Sequence, residues 1–299
     1  APVAVAARWF PDRRGLAVGL TLLGFGVSAI VTANAAGALI AAYGVMTTFA
    51  IFGVVLAAVL VVAALPLRFP PAGWQPAGWS APAPGTGTAP ACECDRRAML
   101  RAGTFYGLFA CYFVGCLAGL TAISIAKPVG TEVAGVDAGL ATLLVGFFAI
   151  FNGAGRPAFG GLADRISPQK TAMLTFGLIA AASVLIWLVP GVPAYIVSFA
   201  VLWGCLGGWL AIAPAATASY FGTCDYPRCY GVVFLAYGAG AIAGPQLAGF
   251  VRTATGTYLG VFPLVAVLAA VGFAVAWLLM RPPASVPASA PVPVAAVEE

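Results

Sequence analysis

The feature that most constrains this chain is a series of apolar stretches, each about 20 residues or longer, that recur along most of its length. A helix of about 20 apolar residues crosses a hydrocarbon core of about 30 Å. Only 8% of the residues are charged, against about 25% in a soluble domain. The sequence therefore predicts an all-α, polytopic membrane helix bundle with about eight transmembrane helices, at residues 15–39, 45–66, 103–127, 138–162, 170–190, 193–220, 230–251 and 258–280.

Two stretches of the chain lack this apolar character. Residues 67–102 contain two Pro-Ala-Gly-Trp motifs and a run of Pro, Gly, Ala and Thr, and residues 282–299 are rich in Pro, Ala and Val. Segments of this composition cannot bury enough apolar surface to form a core. We therefore expect a linker at 67–102 and a flexible tail at 282–299.

The basic residues predict the orientation of the chain in the membrane. Lys and Arg accumulate in cytoplasmic loops, and an even number of crossings places both ends of the chain on one side. Under this topology twelve of the 14 basic residues lie toward the side of the termini, and Lys127 and Arg252 lie toward the other. We expect a multi-pass protein of the cell (inner) membrane, with both termini and the linker in the cytoplasm.

Residues that could carry out catalysis or bind a metal are scarce. The chain has no histidine, and its 9 acidic residues lie in or beside predicted loops. The loop cysteine pairs Cys92/Cys94 and Cys224/Cys229 would have to converge to form a zinc site, since no histidine could complete one. The sequence predicts no catalytic residue, no metal, no cofactor and no nucleic-acid partner, so an enzyme is not expected.

A faint internal repeat links the two ends of the chain. Residues 10–15, before the first predicted span, resemble residues 221–231, before the seventh. Parallel repeats of this kind are typical of carriers built from two six-helix halves that a long cytoplasmic loop joins. Six predicted spans follow the linker and two precede it, so we expect the linker to mark the boundary between the two halves.

Several motifs share the pattern of a known transporter family. Residues 160–165, Gly-Gly-Leu-Ala-Asp-Arg, match the loop signature G-x-L-x-D-R, although Ser-Pro-Gln-Lys follows where more basic residues are usual. Further matches are Arg-Trp-Phe-Pro-Asp-Arg-Arg-Gly at 8–15, Asn-Gly-Ala-Gly-Arg at 152–156, Tyr-Gly-Ala-Gly at 237–240 and Gly-Pro-Gln-Leu-Ala-Gly at 244–249. The chain thus resembles the major facilitator superfamily and, within it, the oxalate/formate antiporter branch.

This resemblance implies a bundle of twelve helices that moves small organic anions such as oxalate, formate, lactate or pyruvate by alternating access. The protein would lie in a lipid bilayer and be monomeric when full length. With about eight of the twelve helices, the chain is expected to be truncated at its N-terminus. Residues 1–66 would be a remnant of the N-terminal half, comprising the end of helix 4 and helices 5 and 6, and residues 103–281 would be the C-terminal six-helix half.

Arg156 is the most informative polar residue of the predicted helices. It precedes Asp164 by eight residues and so lies about 12 Å deeper in the membrane. A guanidinium that faces lipid at this depth costs at least about 2.5 kcal/mol, so we expect it to face a polar cavity or a partner. Arginine can bind a carboxylate with two charge-assisted hydrogen bonds, and the resemblance places a substrate-binding arginine in this helix. Alternatively, Arg156 snorkels toward the cytoplasm or pairs with an acid outside this chain.

Four further side chains in apolar helices are candidates for substrate binding: Asn152, Tyr237, Gln246 and Tyr112. Such polar groups either line a pathway or bond across helices. The resemblance implies a lysine in the seventh span of oxalate carriers, but the sequence has none between Tyr230 and Val251. A monocarboxylate is therefore favoured over oxalate. Because no acid lies within a predicted span, exchange of anions is favoured over proton coupling.

Two more groups of residues have predicted mechanical roles. Charged residues at cytoplasmic helix ends can lock one conformation of a rocking bundle, and small residues let helices approach closely and bend. The alternative for the charged residues is an ordinary role in topology. The predicted gating residues are Gly160, Asp164, Arg165, Asp12, Arg13 and Arg14, and the predicted packing residues are Gly24, Gly26, Gly238, Gly240, Gly244 and Pro245.

Two other functions are compatible with this pattern. A membrane receptor or assembly protein could use the same fold without transporting anything. An efflux carrier for hydrophobic compounds would need an aromatic-lined cavity, for which Trp203, Trp209 and Phe151 are candidates.

Overall fold

The computed structural model describes residues 2–71, 74–76, 96–222 and 225–281. The predicted tail and most of the predicted linker, with Cys92, Cys94 and Cys224, lie outside these residues. The last residues of the predicted linker prove to be helical, and Met99 among them is buried.

Within the described residues the chain forms nine α-helices: α1 Pro2–Trp9, α2 Arg14–Ala64, α3 Arg96–Arg101, α4 Gly103–Glu132, α5 Ala138–Ile166, α6 Pro168–Leu188, α7 Val192–Phe221, α8 Tyr226–Thr255 and α9 Val261–Leu279.

Seven helical segments of the described chain are long and apolar enough to cross a membrane. They are Ala38–Ala64, which is the second part of α2, and the whole of each helix from α4 to α9. The first predicted span, 15–39, is described in part, as the shorter apolar helix Arg14–Gly24. The prediction of an all-α polytopic helix bundle is confirmed.

Helix α2 folds back on itself at Gly44. A straight helix of its 51 residues would be about 77 Å long, but residues just outside its two ends are in contact: the indole Nε1 of Trp9 donates to the carbonyl oxygen of Arg68 at 2.8 Å. Gly44 has φ 76°, in the left-handed region that glycine enters without steric cost. The two arms of α2 therefore correspond to the first two predicted spans, with Gly44 as the turn between them.

Helix α7 is the centre of the bundle, and it packs against α4, α5 and α6. Its aromatic side chains interlock with those of its neighbours. The ring of Trp209 lies 5.2 Å from that of Phe176 on α6, and the ring of Tyr195 lies 5.4 Å from that of Phe148 on α5. All four side chains are fully buried, so the packing of α7 fixes the positions of the helices around it.

Glycines bring α5 into close contact with α2 on one side and α7 on the other. A methyl group on Gly15 of α2 would overlap the carbonyl oxygen of Gly160, and one on Gly19 would lie 2.6 Å from the carbonyl oxygen of Arg156. On the opposite side, a methyl group on Gly207 of α7 would overlap the carbonyl oxygen of Asn152. Small residues permit such close crossings of membrane helices, and here they hold the segment 152–160 of α5 between two helices.

We expect the substitution Gly207→Ala to destabilise the protein by about 1–3 kcal/mol, because the added methyl group forces α5 and α7 apart. Thermal unfolding in detergent, followed by circular dichroism, measures the effect. Gly177→Ala on α6 is the matched control, since no atom lies within 4 Å of the added methyl group. An equal melting temperature for the Gly207→Ala protein and the wild type would contradict the close crossing.

Candidate functional site

The side chain of Arg156 points into the bundle, not toward lipid. It is 2% exposed. Its Nη2 donates to the Oδ1 of Asn152 at 3.1 Å, and its Nη1 donates to the carbonyl oxygen of Leu22 on α2. The interpretation that Arg156 snorkels toward the cytoplasm is therefore wrong. Its guanidinium bonds both to α2 and to its own helix, α5.

Asn152 orients the guanidinium of Arg156. Its Oδ1 accepts the hydrogen bond from Arg156, one helical turn away, and its Nδ2 donates to the carbonyl oxygen of Trp203 on α7 at 3.1 Å. Because the amide is bonded on both sides, it has one favoured orientation. Asn152 thus positions Arg156 and joins α5 to α7.

Two tyrosines from other helices complete the surroundings of Arg156. The phenols of Tyr112 on α4 and Tyr237 on α8 lie close enough to Arg156 for electrostatic interaction with its guanidinium. Tyr112 stacks on Trp209 with ring centroids 6.3 Å apart. Tyr237 stacks on Phe234 with centroids 5.1 Å apart and 12° between the ring planes. Arg156, Asn152, Tyr112 and Tyr237, which we call the Arg156 site, therefore come from three helices: α4, α5 and α8.

Gln246 is not part of the Arg156 site. It is exposed on α8, nine residues beyond Tyr237, which corresponds to about 14 Å along the helix axis and to the opposite helix face. The structure does not bring Gln246 together with Arg156, and its role in substrate binding stays a prediction.

The ion pairs recorded among the described residues lie at helix ends. They join Arg13 to Asp12 at 3.7 Å, Arg228 to Asp225 at 3.7 Å and Arg252 to Glu132 at 2.8 Å. The Arg252–Glu132 pair joins the far ends of α8 and α4. The described carboxylates in these pairs are thus distant from the Arg156 site.

Asp164 holds the N-terminus of α2. Its Oδ1 accepts from the backbone N–H of Gly15 at 2.7 Å and its Oδ2 accepts from that of Leu16 at 2.8 Å. The first N–H groups of a helix have no partner within the helix, and a carboxylate there also interacts favourably with the helix dipole. The carboxylate of Asp164 therefore caps a helix other than its own.

The remaining predicted gating residues lie around this cap. Gly160 packs against the backbone of Gly15, and Arg14 donates to the carbonyl oxygen of Ala218, in the last turn of α7, at 3.4 Å. Arg13 and Arg165 are exposed. The first turn of α2 is therefore bound both to α5, through Asp164, and to α7, through Arg14.

The predicted packing glycines fall into two groups. Gly240 and Gly244 of α8 lie against α4, where added methyl groups would lie 3.0 Å from the backbone nitrogen of Leu117 and 2.8 Å from Oγ1 of Thr121. Among the described residues, Gly24 and Gly238 have no atom within 4 Å of an added methyl group, so a close approach is not seen there. Gly26 lies among the residues whose side chains the structure does not describe, and Pro245 is exposed within α8.

A ladder of aromatic rings on α8 was not predicted. Tyr226, Tyr230, Phe234 and Tyr237 follow one another with ring centroids 5.6, 5.7 and 5.1 Å apart. The i, i+4 and i, i+3 spacing of these four residues places them on one helix face, a signal that was visible in the sequence. The ladder runs from the start of α8 to the Arg156 site.

Comparison with known proteins identifies the family. The sequence model of the Major Facilitator Superfamily matches residues 1–221 and 108–297. The chain is 28% identical over 273 residues to the oxalate:formate antiporter of Oxalobacter formigenes, a match that covers 91% of this chain and 63% of that protein. It is 24% identical over 246 residues to the uncharacterized MFS-type transporter YhjX of Escherichia coli (strain K12), a match that covers 79% of this chain and 57% of that protein.

A solved structure has the same fold. It is the crystal structure of a Major Facilitator Superfamily transporter, FucP, in the outward conformation, with a TM-score of 0.65, 18% sequence identity, and coverage of 91% of this chain and 71% of that chain. The matches to the two curated relatives, the oxalate:formate antiporter and YhjX, cover 63% and 57% of their lengths, so the chain spans less than two thirds of each. The helices long enough to span a bilayer agree with the sequence matches, and the chain is a multi-pass membrane protein that belongs to the Major Facilitator Superfamily.

Proposed function

We propose that the protein carries a small organic monocarboxylate, such as lactate, pyruvate or formate, across the cell (inner) membrane by alternating access, in exchange for another anion. The observation that carries this proposal is the guanidinium of Arg156, buried among Asn152, Tyr112 and Tyr237 at a depth where a charge is expensive to place. A membrane protein retains such a group mostly for function. The similarity to a protein named as an oxalate:formate antiporter supports an anion as the cargo.

The polar groups of the Arg156 site suit one carboxylate. The planar guanidinium can donate two parallel hydrogen bonds to it, and the neutral side chains of Asn152 and Tyr237 add no second positive charge. A dianion such as oxalate would bring a second carboxylate into a site of low polarity, where an uncompensated charge is strongly unfavourable. These properties favour a monocarboxylate over oxalate.

The contact between α2 and α5 suits a gate. We infer that α2 belongs to the N-terminal half (1–66) and α5 to the C-terminal half (103–281), with the linker 67–102 between them and both termini in the cytoplasm. The hydrogen bonds of Asp164 then join the two halves at their cytoplasmic ends. In a carrier whose halves rock around a central site, these bonds would form in one state and break in the other.

The aromatic residues give less support to an efflux carrier for hydrophobic compounds. Trp209 is fully buried and Trp203 is 6% exposed, and both pack in the core around α7 instead of lining an open cavity. A receptor or assembly protein on the same fold would bind an anion without moving it. Exchange of a labelled anion in proteoliposomes separates this alternative from a carrier.

We expect Arg156→Gln to abolish the exchange of labelled lactate, pyruvate or formate in proteoliposomes that contain the protein expressed from its complete reading frame. Arg156→Lys keeps the charge but loses the paired hydrogen bonds, so we expect the apparent affinity to fall by ~10- to 100-fold, which corresponds to one charge-assisted hydrogen bond. Arg228→Gln, at an ion pair on the surface, is the control and should exchange normally. Normal exchange by the Arg156→Gln protein would refute the proposal.

We expect Tyr237→Lys to enable oxalate exchange, because it places a second cation beside Arg156. The ratio of oxalate to lactate exchange should rise by roughly tenfold or more, which corresponds to about 1.4 kcal/mol. Tyr237→Phe keeps the ring stacked on Phe234 without a charge, and it should not raise this ratio. A Tyr237→Lys protein that exchanges lactate but has an unchanged ratio would show that position 237 does not contact the anion.

We expect Asp164→Ala to loosen the contact between α2 and α5, because the loss of a cap costs about 0.5–2 kcal/mol. Cysteines at Leu16 and Gly161 would report on this contact, since a methyl group on Gly161 would lie 3.6 Å from Cδ1 of Leu16. In a background without native cysteines, cross-linking by a short bifunctional thiol reagent should be several-fold slower in the Asp164→Ala protein.

Asp137 provides the matched control for this experiment. It caps its own helix, α5, by accepting from the backbone N–H groups of Gly139 and Leu140. Asp137→Ala should therefore leave the cross-linking rate unchanged. Equal rates in the Asp164→Ala protein and the wild type would show that the cap does not hold α2 to α5.

A further inference from the structure

We propose that Tyr112 selects the substrate by donating a hydrogen bond to a second oxygen beside the carboxylate, so that the protein prefers 2-hydroxy and 2-oxo monocarboxylates to acids without that oxygen. This inference rests on the proposed function, because Arg156 must hold the carboxylate. It adds a specificity-determining residue and a chemical feature of the substrate.

The hydroxyl of Tyr112 is buried without a hydrogen-bond partner. The side chain has no solvent exposure, and its hydroxyl makes no hydrogen bond to any residue in the described part of the chain. The hydroxyl of Tyr230 and the thiol of Cys116 lie near it, but neither has the distance and angles of a hydrogen bond to the Tyr112 hydroxyl. Buried hydroxyls are nearly always bonded in folded proteins, so an acceptor is to be expected at this position.

The ring of Tyr112 is held in place, which fixes where its hydroxyl points. It stacks on Trp209 with centroids 6.3 Å apart, and it lies 6.5 Å from the ring of Phe234 on α8. A ring packed on two sides cannot swing to another acceptor without disturbing the core. The acceptor must therefore come to the hydroxyl.

The position of Tyr112 suits a ligand that Arg156 already binds. Tyr112 on α4 and Arg156 on α5 lie within electrostatic range of each other and of Tyr237. A carboxylate in the fork of Arg156 would present its C2 substituent to a neighbouring donor. A hydroxyl or carbonyl oxygen at C2 would accept a hydrogen bond from the Tyr112 hydroxyl. An acid without that oxygen would leave the hydroxyl unbonded, and a site built to make such a bond rejects ligands that cannot form it.

Lactate and propionate test the inference, because they differ only in the oxygen at C2. We expect the wild-type protein, reconstituted from its complete reading frame, to exchange lactate with an apparent affinity about tenfold higher than that for propionate, the effect of one hydrogen bond. Tyr112→Phe should bring the two affinities within about twofold of each other by weakening lactate alone.

Tyr220→Phe is the matched control for Tyr112→Phe. Tyr220 is also a buried tyrosine, but its hydroxyl donates to the carbonyl oxygen of Met280 at 3.4 Å, at the end of the bundle. The Tyr220→Phe protein should keep the preference for lactate. Because Tyr112→Phe removes a hydroxyl that has no partner, it should not lower the amount of folded protein in the membrane.

Several outcomes would overturn the inference. If the wild-type protein does not prefer lactate to propionate, or if the Tyr112→Phe protein keeps this preference, Tyr112 does not donate a hydrogen bond to the C2 oxygen. If Tyr112→Phe lowers the apparent affinities for lactate and propionate equally, the hydroxyl bonds the carboxylate or stabilises the fold, and it does not bond the C2 oxygen. If Arg156→Gln abolishes exchange of both acids in any of these cases, the proposed function stands and only this inference fails. If the Arg156→Gln protein still exchanges them, both fail.

Discussion

The structure depends on the placement of one guanidinium inside an apolar bundle. A charged group at this depth is tolerated when it has polar partners and is shielded from lipid, and Arg156 receives them from two helices: the carbonyl oxygen of Leu22 and the amide of Asn152. Asn152 is itself fixed by the backbone of α7. The position of this one side chain therefore constrains how α2, α5 and α7 meet.

The glycines explain how three helices can come so close together around a large side chain. Gly19 lets α2 lie against the backbone of Arg156, and Gly207 lets α7 lie against the backbone of Asn152. With larger residues at these positions the helix axes would be further apart, and the carbonyl oxygens of Leu22 and Trp203 would be out of reach of the Arg156 and Asn152 side chains. Close packing and burial of the charge are thus two results of the same small residues.

The sequence predicts the parts of this structure that periodicity and spacing encode. The apolar lengths predict the bundle, and the eight residues from Arg156 to Asp164 predict their separation of about 12 Å along one helix. The partners of Asp164 were not predictable, because backbone N–H groups carry no signature in a sequence. Nine residues from Tyr237 amount to two and a half turns, so the spacing in the sequence already indicates that Gln246 lies on the opposite face of α8.

Under the proposed function, the two contacts between α2 and α5 are linked. Arg156 bonds α2 at Leu22 and Asp164 bonds it at Gly15 and Leu16, so both act on the same pair of antiparallel helices, about 12 Å apart along α5. A carboxylate that takes the Nη1 donor of Arg156 replaces the carbonyl oxygen of Leu22 and removes one of these two bonds. Arrival of the anion would then weaken the contact that Asp164 still holds. A ligand shifts an equilibrium only through different affinities for the two states, and competition with the Leu22 carbonyl supplies such a difference.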